Sequence, residues 1–235
     1  DYANVVYSDT IGSVWTWSSI IEADALSGYQ VLFGGTYGAN NGLIVLKNNQ
    51  LNIYTNTDNL FSYTLETGKK YHVALSQSGS NVSAFINGVL VDSVNLSVTL
   101  NAGGGSYYIS RNPSFAIEFF NGKLSGVRVF NTALTAAQVA DLYNNPEKVV
   151  PTGVDNTALK LWLPMMEGAG TTAINGAPDA LGSELITNGD FATDSNWTKG
   201  TGTTISGGKA NFSNSTDLGI YQGIGTQSGK VQVSF

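Results

Sequence analysis

The chain has 235 residues, of which 42% are hydrophobic and 12% are charged, a composition that suits a folded protein with a polar, sparsely charged surface. Eleven basic residues stand against 17 acidic ones, and a formal net charge of −6 without a basic run argues against binding to nucleic acid or anionic membranes. The absence of cysteine excludes disulfides and thiol chemistry, and no apolar run approaches the roughly 20 residues that span a bilayer.

The first third of the chain consists of short apolar segments, which are separated by residues typical of turns. Apolar alternation predicts strands within residues 14–21 and 31–33. A polar loop is expected over residues 34–42. The segments 43–46 and 51–54 are predicted to form a hairpin through the four polar residues between them.

Asn87-Gly88 is the strongest hairpin signal in the chain, because both residues tolerate a positive φ. It is predicted to join strands 82–86 and 89–94, after a strand at 71–76. A further strand is expected at 107–110. Many short strands between turns predict an all-β protein built as an antiparallel β-sandwich, and they argue against an α/β fold.

Residues 121–143 combine a turn, a strand and a helix. Asn121-Gly122 predicts a tight turn, and alternation over residues 123–130 predicts a half-buried strand. Thr135 and Gln138 form a capping box that opens a short helix. Pro146 blocks its continuation.

A strand, a short polar link and a capped helix that ends in Leu-Tyr resemble the C-terminal signature of laminin-G-like domains, the concanavalin A-like β-sandwich lectins. Residues 15–24 resemble the first long strand of that family, and residues 69–91 resemble its central hairpin. The resemblance covers residues 1–146 and implies a concanavalin A-like jelly roll. In it, the helix near Thr135 to Tyr143 is expected to be the only substantial one, with its apolar face on the sandwich: Val139, Leu142 and Tyr143.

Residues 147–182 are expected to be a linker that carries an extra strand at 159–164. The sequence of that strand resembles the start of a laminin-G-like domain. It either adds an edge strand that completes the first sandwich or begins a vestigial repeat, and the sequence leaves both open.

Residues 183–235 resemble the first part of a jelly-roll carbohydrate-binding module, so a partial second β jelly roll is expected there. The similarity rests on NGDF at 188–191, Trp197, ISGGKA at 205–210 and KVQVSF at 230–235. Because Phe235 stops inside a strand pattern, we expect the chain to be a piece of a longer polypeptide. The combination of the two domain types resembles bacteriophage tail and fibre proteins.

The resemblance also raises the question of glycan hydrolysis. Related sandwich glucanases carry an E-x-D-x-x-E strand, whose paired carboxylates act as nucleophile and acid/base. Glu22 and Asp24 match the first two positions, but Ser27 occupies the third. His72, the only histidine, lies within a predicted strand, where a structural role is favoured over a catalytic one. The chain is therefore expected not to be an enzyme.

Candidate ligand-binding residues are Tyr, Asn, Arg and Gln side chains, which suit hydroxyl-rich ligands. Loops on a rigid scaffold usually carry recognition; for each residue the competing interpretation is a solvated surface. Trp15 and Trp17 share one sheet face, and core packing is favoured for them. The candidates are Tyr37, Asn40, Asn41, Tyr108, Arg111 and Asn112 in the lectin domain, and Tyr221 and Gln222 in the second module.

Calcium is common in both families, where oxygen ligands bind it. Asp58, Asp190, Asp194 and Asp217 are available, but they form no spaced series. No metal site is therefore predicted, and calcium is the one cofactor that the resemblance leaves open.

The resemblance implies a non-enzymatic glycan-binding adhesion component of a virion surface, such as a phage tail fibre or receptor-binding protein for host attachment. The expected partners are host surface glycans, other virion proteins and further copies of the chain in the full-length homo-oligomer, with neither nucleic acid nor membrane insertion. The expected location is the virion surface or the extracellular space. Two alternatives stay open: an accessory region of a secreted bacterial glycanase or adhesin, and a purely structural virion decoration protein.

Overall fold

The structure is a computed structural model, which describes residues 3–6, 11–35, 42–96, 98, 106–112, 114, 117–165, 175–177, 188–213 and 219–223. The chain divides into two compact units, Asp1–Ala180 and Leu181–Phe235. Antiparallel strands are the main regular structure among the described residues, which confirms the predicted all-β class.

The first unit is a sandwich of two six-stranded sheets. The first sheet has the order β1-β10-β3-β4-β5-β6, and the second sheet has the order β12-β11-β2-β7-β8-β9. The strands are β1 Ala3–Val6, β2 Val14–Ala23, β3 Tyr29–Gly35, β4 Leu43–Lys47, β5 Gln50–Tyr54, β6 Asp58–Thr64, β7 Lys70–Ser78, β8 Asn81–Ile86, β9 Val89–Asn95, β10 Ser106–Ile109, β11 Gly122–Phe130 and β12 Leu159–Leu163.

The core lies between the two sheets, where inward-facing side chains alternate with outward-facing ones. Trp15 and Trp17 are fully buried there, as expected from their shared face. The indole Nε1 of Trp15 donates to the carbonyl oxygen of Val98 at 3.2 Å. The rings of Phe33 and Tyr107, from neighbouring strands of the first sheet, stack with 4.9 Å between their centroids. The predicted core role of both tryptophans fits this packing.

Tight turns at asparagine and glycine set the hairpin registers. Asn87 and Gly88 have φ values of 51° and 77° between β8 and β9, which suits a turn whose twist matches that of the strands. Asn48 and Asn49, at 47° and 71°, play the same part between β4 and β5. Both predicted hairpins are present.

The prediction of a tight turn at Asn121-Gly122 is wrong. Gly122 is the first residue of β11, beside the end of β2. A Cβ atom at Gly122 would lie 2.3 Å from the carbonyl oxygen of Glu22 and 2.8 Å from the Cα of Ala23. The glycine is required by this close approach of two backbones.

The only α-helix in the described part of the chain is α1, Ala136–Asn144. The capping box at its start is confirmed: the backbone N–H of Gln138 donates to Thr135 Oγ1 at 3.3 Å. The backbone N–H of Thr135 donates in return to Gln138 Oε1 at 3.0 Å. Two orphan donors of the first turn are satisfied in this way.

The helix packs on the outer face of the second sheet. Val139 and Leu142 are buried there, as predicted, in a cluster with Phe85 and Phe130. Tyr143 also lies on the sandwich, with its ring centroid 6.0 Å from that of His72 on β7, although it remains 43% exposed. A Cβ atom at Gly88 would lie 3.1 Å from both Cβ and Cδ1 of Tyr143, so the ring packs against this tight turn.

Strand β12 lies in the second sheet and pairs antiparallel with β11. Leu161 and Leu163 face the core between the sheets, whereas Leu159 joins the buried cluster under α1. A short 3₁₀ turn, Asn156–Ala158, precedes it. The last strand of the first unit thus follows directly from the segment after α1.

The second unit contains two short antiparallel pairs among its described residues. They are β13 Thr198–Lys199 with β16 Ile220–Tyr221, and β14 Thr203–Ser206 with β15 Lys209–Phe212.

The NGDF segment has a structural role in this unit. The backbone oxygen of Asn188 accepts from Trp197 Nε1 at 2.9 Å, and the Phe191 and Trp197 rings lie 5.2 Å apart. The Asn188 side chain bridges to the backbone of Thr193 and Ser195.

Candidate functional site

The outer face of the first sheet carries a small apolar surface of its own. Because strand side chains alternate between faces, residues between the inward-facing positions of β3, β4 and β5 point outward. Val31, Leu43 and Val45 form a buried cluster on this face, apart from the core. The half-buried side chains of Tyr29 and Tyr54 pack against the cluster.

The two tyrosine rings define one end of this surface. Tyr29 begins β3 and Tyr54 ends β5, and β4 lies between the two strands. Their ring centroids are 6.0 Å apart, and the ring planes meet edge to face at 85°. Such a pair presents apolar ring surface together with hydroxyl groups.

The segment between β10 and β11 forms the opposite wall. The backbone N–H of Val31 donates to the carbonyl oxygen of Glu118 at 2.9 Å, which ties this segment to β3. Asn112 Nδ2 donates to Glu118 Oε2 at 2.7 Å. Asn112 Oδ1 accepts from the backbone N–H of Ser114 at 2.9 Å.

Together these elements enclose a cleft of about 330 Å³, a volume at the lower end of the range for small-molecule sites. Its floor is aliphatic, two tyrosines stand at one end, and a carboxylate and an amide stand in the wall. The described residues that line it are Tyr29, Leu43, Val45, Tyr54, Asn112, Ser114, Ile117 and Glu118.

A polar cluster fixes the orientation of Tyr29. Its hydroxyl donates to Asp58 Oδ1, and Lys47 Nζ contacts the other oxygen of the same carboxylate. Asn52 Nδ2 also donates to Asp58, at 2.8 Å. The Lys47 ammonium lies 4.8 Å from the centre of the Tyr29 ring, within range of a cation–π contact.

The ionisation of this cluster follows from its hydrogen bonds. Burial works against the charged form of Asp58, but the bonds that it accepts outweigh burial, and its pKa is lower than usual. Burial and the bond to Asp58 raise the pKa of Tyr29. At neutral pH Tyr29 is therefore protonated, and its hydroxyl donates a hydrogen bond to the Asp58 carboxylate.

Glu118 adopts an uncommon backbone conformation, with a φ of 57°. A left-handed conformation is unfavourable for a residue with a long side chain. Such conformations persist only where surrounding contacts hold them, and they are frequent at ligand sites. Here the bonds to Val31 and Asn112 hold the residue in place.

Three of the predicted site residues lie near this cleft. Asn112 lines it, although both ends of its amide already bond to the protein. Tyr108 follows the buried Tyr107 on β10 and so projects to the outer side. The guanidinium carbon of Arg111 is 5.1 Å from the centre of the Tyr108 ring, and Arg111 Nε donates to the carbonyl oxygen of Asn112 at 3.3 Å.

The other predicted residues are not among the described residues of the first unit. Tyr37, Asn40 and Asn41 lie outside the described residues. Tyr221 and Gln222 belong to the second unit, where Tyr221 is 54% exposed and Gln222 Nε2 donates to the backbone oxygen of Asn196.

Sequence reasoning missed several residues of the cleft, namely Tyr29, Tyr54 and Glu118. Strand parity offered a signal for Tyr54, which has the opposite parity to the apolar Leu51 and Ile53. Nothing local marked Glu118, whose position depends on contacts with a strand more than 80 residues earlier in the sequence.

The carboxylates of the incomplete glucanase pattern lie elsewhere. Glu22 is on β2 of the second sheet, and its Oε1 accepts from Lys123 Nζ at 2.9 Å. That hydrogen bond and the charge of Lys123 lower the pKa of Glu22. The residue is held in an ion pair and does not line the cleft.

His72 and the metal candidates add no reactive group to the cleft. His72 is buried on β7 in the second sheet. Among the described residues, no group of three or more His, Asp or Glu side chains is placed to hold a metal ion. Asp217 lies outside those residues. No helix in the described part of the chain is long and apolar enough to cross a membrane.

The sequence matches the family Laminin_G_3, described as the concanavalin A-like lectin/glucanases superfamily, over residues 2–140. The match covers more than half of the chain, and the chain therefore belongs to this family. No curated protein matches the sequence.

Several solved structures match this chain. A protein from Bacteroides ovatus, provisionally assigned as carbohydrate-binding, is 19% identical with a TM-score of 0.55; the match covers 94% of this chain and 57% of that one. Domain 4 of AbnA, a GH43 extracellular arabinanase from Geobacillus stearothermophilus, was solved with arabinotriose. It is 23% identical with a TM-score of 0.48, over 56% of this chain and 67% of that one. The heptameric SAP-like pentraxin of Limulus polyphemus is 16% identical with a TM-score of 0.44, over 61% and 82%. For the Bacteroides ovatus protein, the similarity at this identity is one of fold alone.

Proposed function

We propose that this chain is a non-enzymatic glycan-binding protein and that the cleft on the outer face of the first sheet is its binding site. The observation that carries the proposal is the combination of the paired Tyr29 and Tyr54 rings with a carboxylate across an apolar floor. Sugars present C–H patches that pack on aromatic rings and hydroxyls that bond to polar side chains.

The architecture favours a site that is formed before the ligand arrives. Tyr29 is fixed by its bond to Asp58, and Tyr54 packs edge to face against it. Glu118 is fixed by Asn112 and by the backbone of β3. A pre-ordered site loses less conformational entropy on binding than a flexible loop does.

Binding without hydrolysis is part of the same proposal. A retaining glycosidase needs two carboxyl groups about 5 Å apart. Glu118 is the only carboxylate among the described residues that line the cleft. Glu22 is engaged by Lys123 on the other sheet, and Ser27 stands where the glucanase pattern has its third acid.

The biological setting that we propose is a virion surface, with the chain as part of a phage tail fibre or receptor-binding protein. The support is the order of domains in the sequence, a laminin-G-like lectin followed by the start of a jelly-roll module. A shallow cleft of this size fits a monomer affinity of about 1 mM, or about −4 kcal/mol. Display of several copies on one particle would raise the avidity by orders of magnitude.

A glycan array with the chain displayed as a multimer tests the proposal, followed by titration of the best glycan. Tyr54→Ala removes one ring of the cleft and should weaken binding at least tenfold. Tyr143→Ala is the matched control, because it removes an exposed tyrosine from α1 on the other side of the sandwich, and it should bind normally.

Reducing-end release from the same glycan should stay at the level of a blank. Absence of binding by the multimer, or equal binding by Tyr54→Ala and the parent, would contradict the proposed site. Glycan cleavage by the parent would contradict the non-enzymatic role.

A further inference from the structure

Glu118 carries the only formal charge among the described residues that line the cleft. The remaining lining side chains are aliphatic, phenolic, amide or hydroxyl groups. The charge of the site therefore depends on the Glu118 carboxylate and on whether nearby cations neutralise it.

One oxygen of that carboxylate is committed to the fold. Oε2 accepts from Asn112 Nδ2 at 2.7 Å, whereas Oε1 accepts no hydrogen bond from the described residues. The left-handed backbone of Glu118 and the bond from Val31 fix the direction from which the side chain enters the cleft. Oε1 is thus left for a ligand.

Neighbouring cations are engaged by other groups. Lys47 pairs with Asp58, whose other oxygen receives the Tyr29 hydroxyl. The guanidinium of Arg111 lies over the Tyr108 ring, and its Nε donates to the backbone of Asn112. Among the described residues, Glu118 forms no ion pair within 4 Å, so its charge is not cancelled by direct contact.

We propose that Glu118 makes the cleft select its glycan by charge. Sugars that bear a free ammonium group bind best, neutral sugars bind less tightly, and sugars that bear a carboxylate are rejected. An ammonium or hydroxyl donates to Oε1 while the sugar ring packs on the tyrosines, whereas an acidic sugar brings a like charge close to this carboxylate. This inference rests on the proposed function, since it assigns the ligand class of the same cleft.

The test uses multivalent conjugates in matched triplets, such as galactose, galactosamine and galacturonic acid, with corresponding glucose and mannose series. For each backbone that binds, the parent chain should rank amine above neutral above acid. Glu118→Gln keeps the shape but removes the charge, and it should reduce the amine-to-neutral ratio about threefold to fivefold while raising binding of the acid. Glu118→Asn is a second variant, because asparagine tolerates the left-handed conformation.

Glu147→Gln is the matched control, because it removes one exposed negative charge beyond α1, away from the cleft lining, and it should leave the ranking unchanged. Equal binding of acid and neutral sugars by the parent, or an unchanged ranking in both Glu118 variants, would overturn the role of Glu118 and leave the glycan site standing. Absence of binding to every neutral and amine-bearing conjugate would overturn the proposed function as well.

Discussion

His72 lies on β7 under the C-terminal end of α1, with its ring centroid 6.0 Å from that of Tyr143. The side chain is 6% exposed, and neither ring nitrogen has a hydrogen-bond partner within the described part of the chain. Burial, assisted by the positive charge of Arg128, lowers the pKa of His72 to about 4. The histidine is therefore a neutral packing residue at physiological pH.

Acid should destabilise the sandwich through this residue. The unfolded chain takes up the proton near pH 6.5, but the folded chain does so only near pH 4. The contribution of neutral His72 is therefore complete above pH 6.5 and is lost as the pH falls to about 4. Relative to His72→Phe, the parent should lose on the order of 2 kcal/mol more of its unfolding free energy between pH 7 and 4.5.

Urea denaturation at both pH values measures this difference. The phenylalanine variant keeps an aromatic ring beside Tyr143 but cannot titrate, so other groups that bind protons cancel in the comparison. An identical pH dependence in the two proteins would show that the buried imidazole is not the source.

At the scale of elements, α1 lies in the connection between β11 and β12, which are neighbours in the second sheet. Thr135 caps its start, and Asp141 near its end accepts hydrogen bonds from Lys148 and Thr152. Those bonds, led by the one from Lys148, hold the pKa of Asp141 well below its usual range. The helix is thereby attached to the segment that leads into β12.

Loss of the N-cap should therefore weaken the whole first unit. Thr135→Ala removes the acceptor for the N–H of Gln138 and should lower the free energy of unfolding by about 1 kcal/mol. Thr135→Ser retains a capping hydroxyl and should stay close to the parent. Thermal unfolding followed by tryptophan fluorescence compares the three proteins, and equal stability of the alanine and serine variants would argue against the cap.

Elements with strong local signals could be predicted from the sequence. The Asn87-Gly88 hairpin and the capped helix depend on residues within a few positions of each other, so their chemistry is visible in the sequence. Strand β6 was missed because Phe61 is its only fully buried side chain, and most of its other side chains are polar. The turn predicted at Asn121-Gly122 is wrong because Gly122 is needed where β11 passes close to the backbone of β2.

The cleft was only partly predictable for the same reason. Asn112, Arg111 and Tyr108 are loop or strand-end residues with side chains that suit a glycan, and they lie beside the cleft. The two tyrosines and Glu118 come together because β3, β5 and the segment after β10 are adjacent in the sheet. Such long-range neighbours follow from sheet order, which local patterns do not specify.

At the scale of the whole molecule, the first unit is a lectin-like sandwich whose two outer faces differ. The outer face of the second sheet is covered by α1, which buries Val139 and Leu142. The outer face of the first sheet carries the tyrosine-lined cleft. Ligand binding is therefore expected on the face without the helix.

The position of the bound glycan is the most direct test of this view. Amide chemical shifts of the isotope-labelled full chain would be recorded during titration with the best glycan from the array. We expect the largest changes at Tyr29, Val45, Tyr54, Ile117 and Glu118, with little change in α1. Changes confined to the second unit, or to the helix-covered face of the second sheet, would contradict the proposed site.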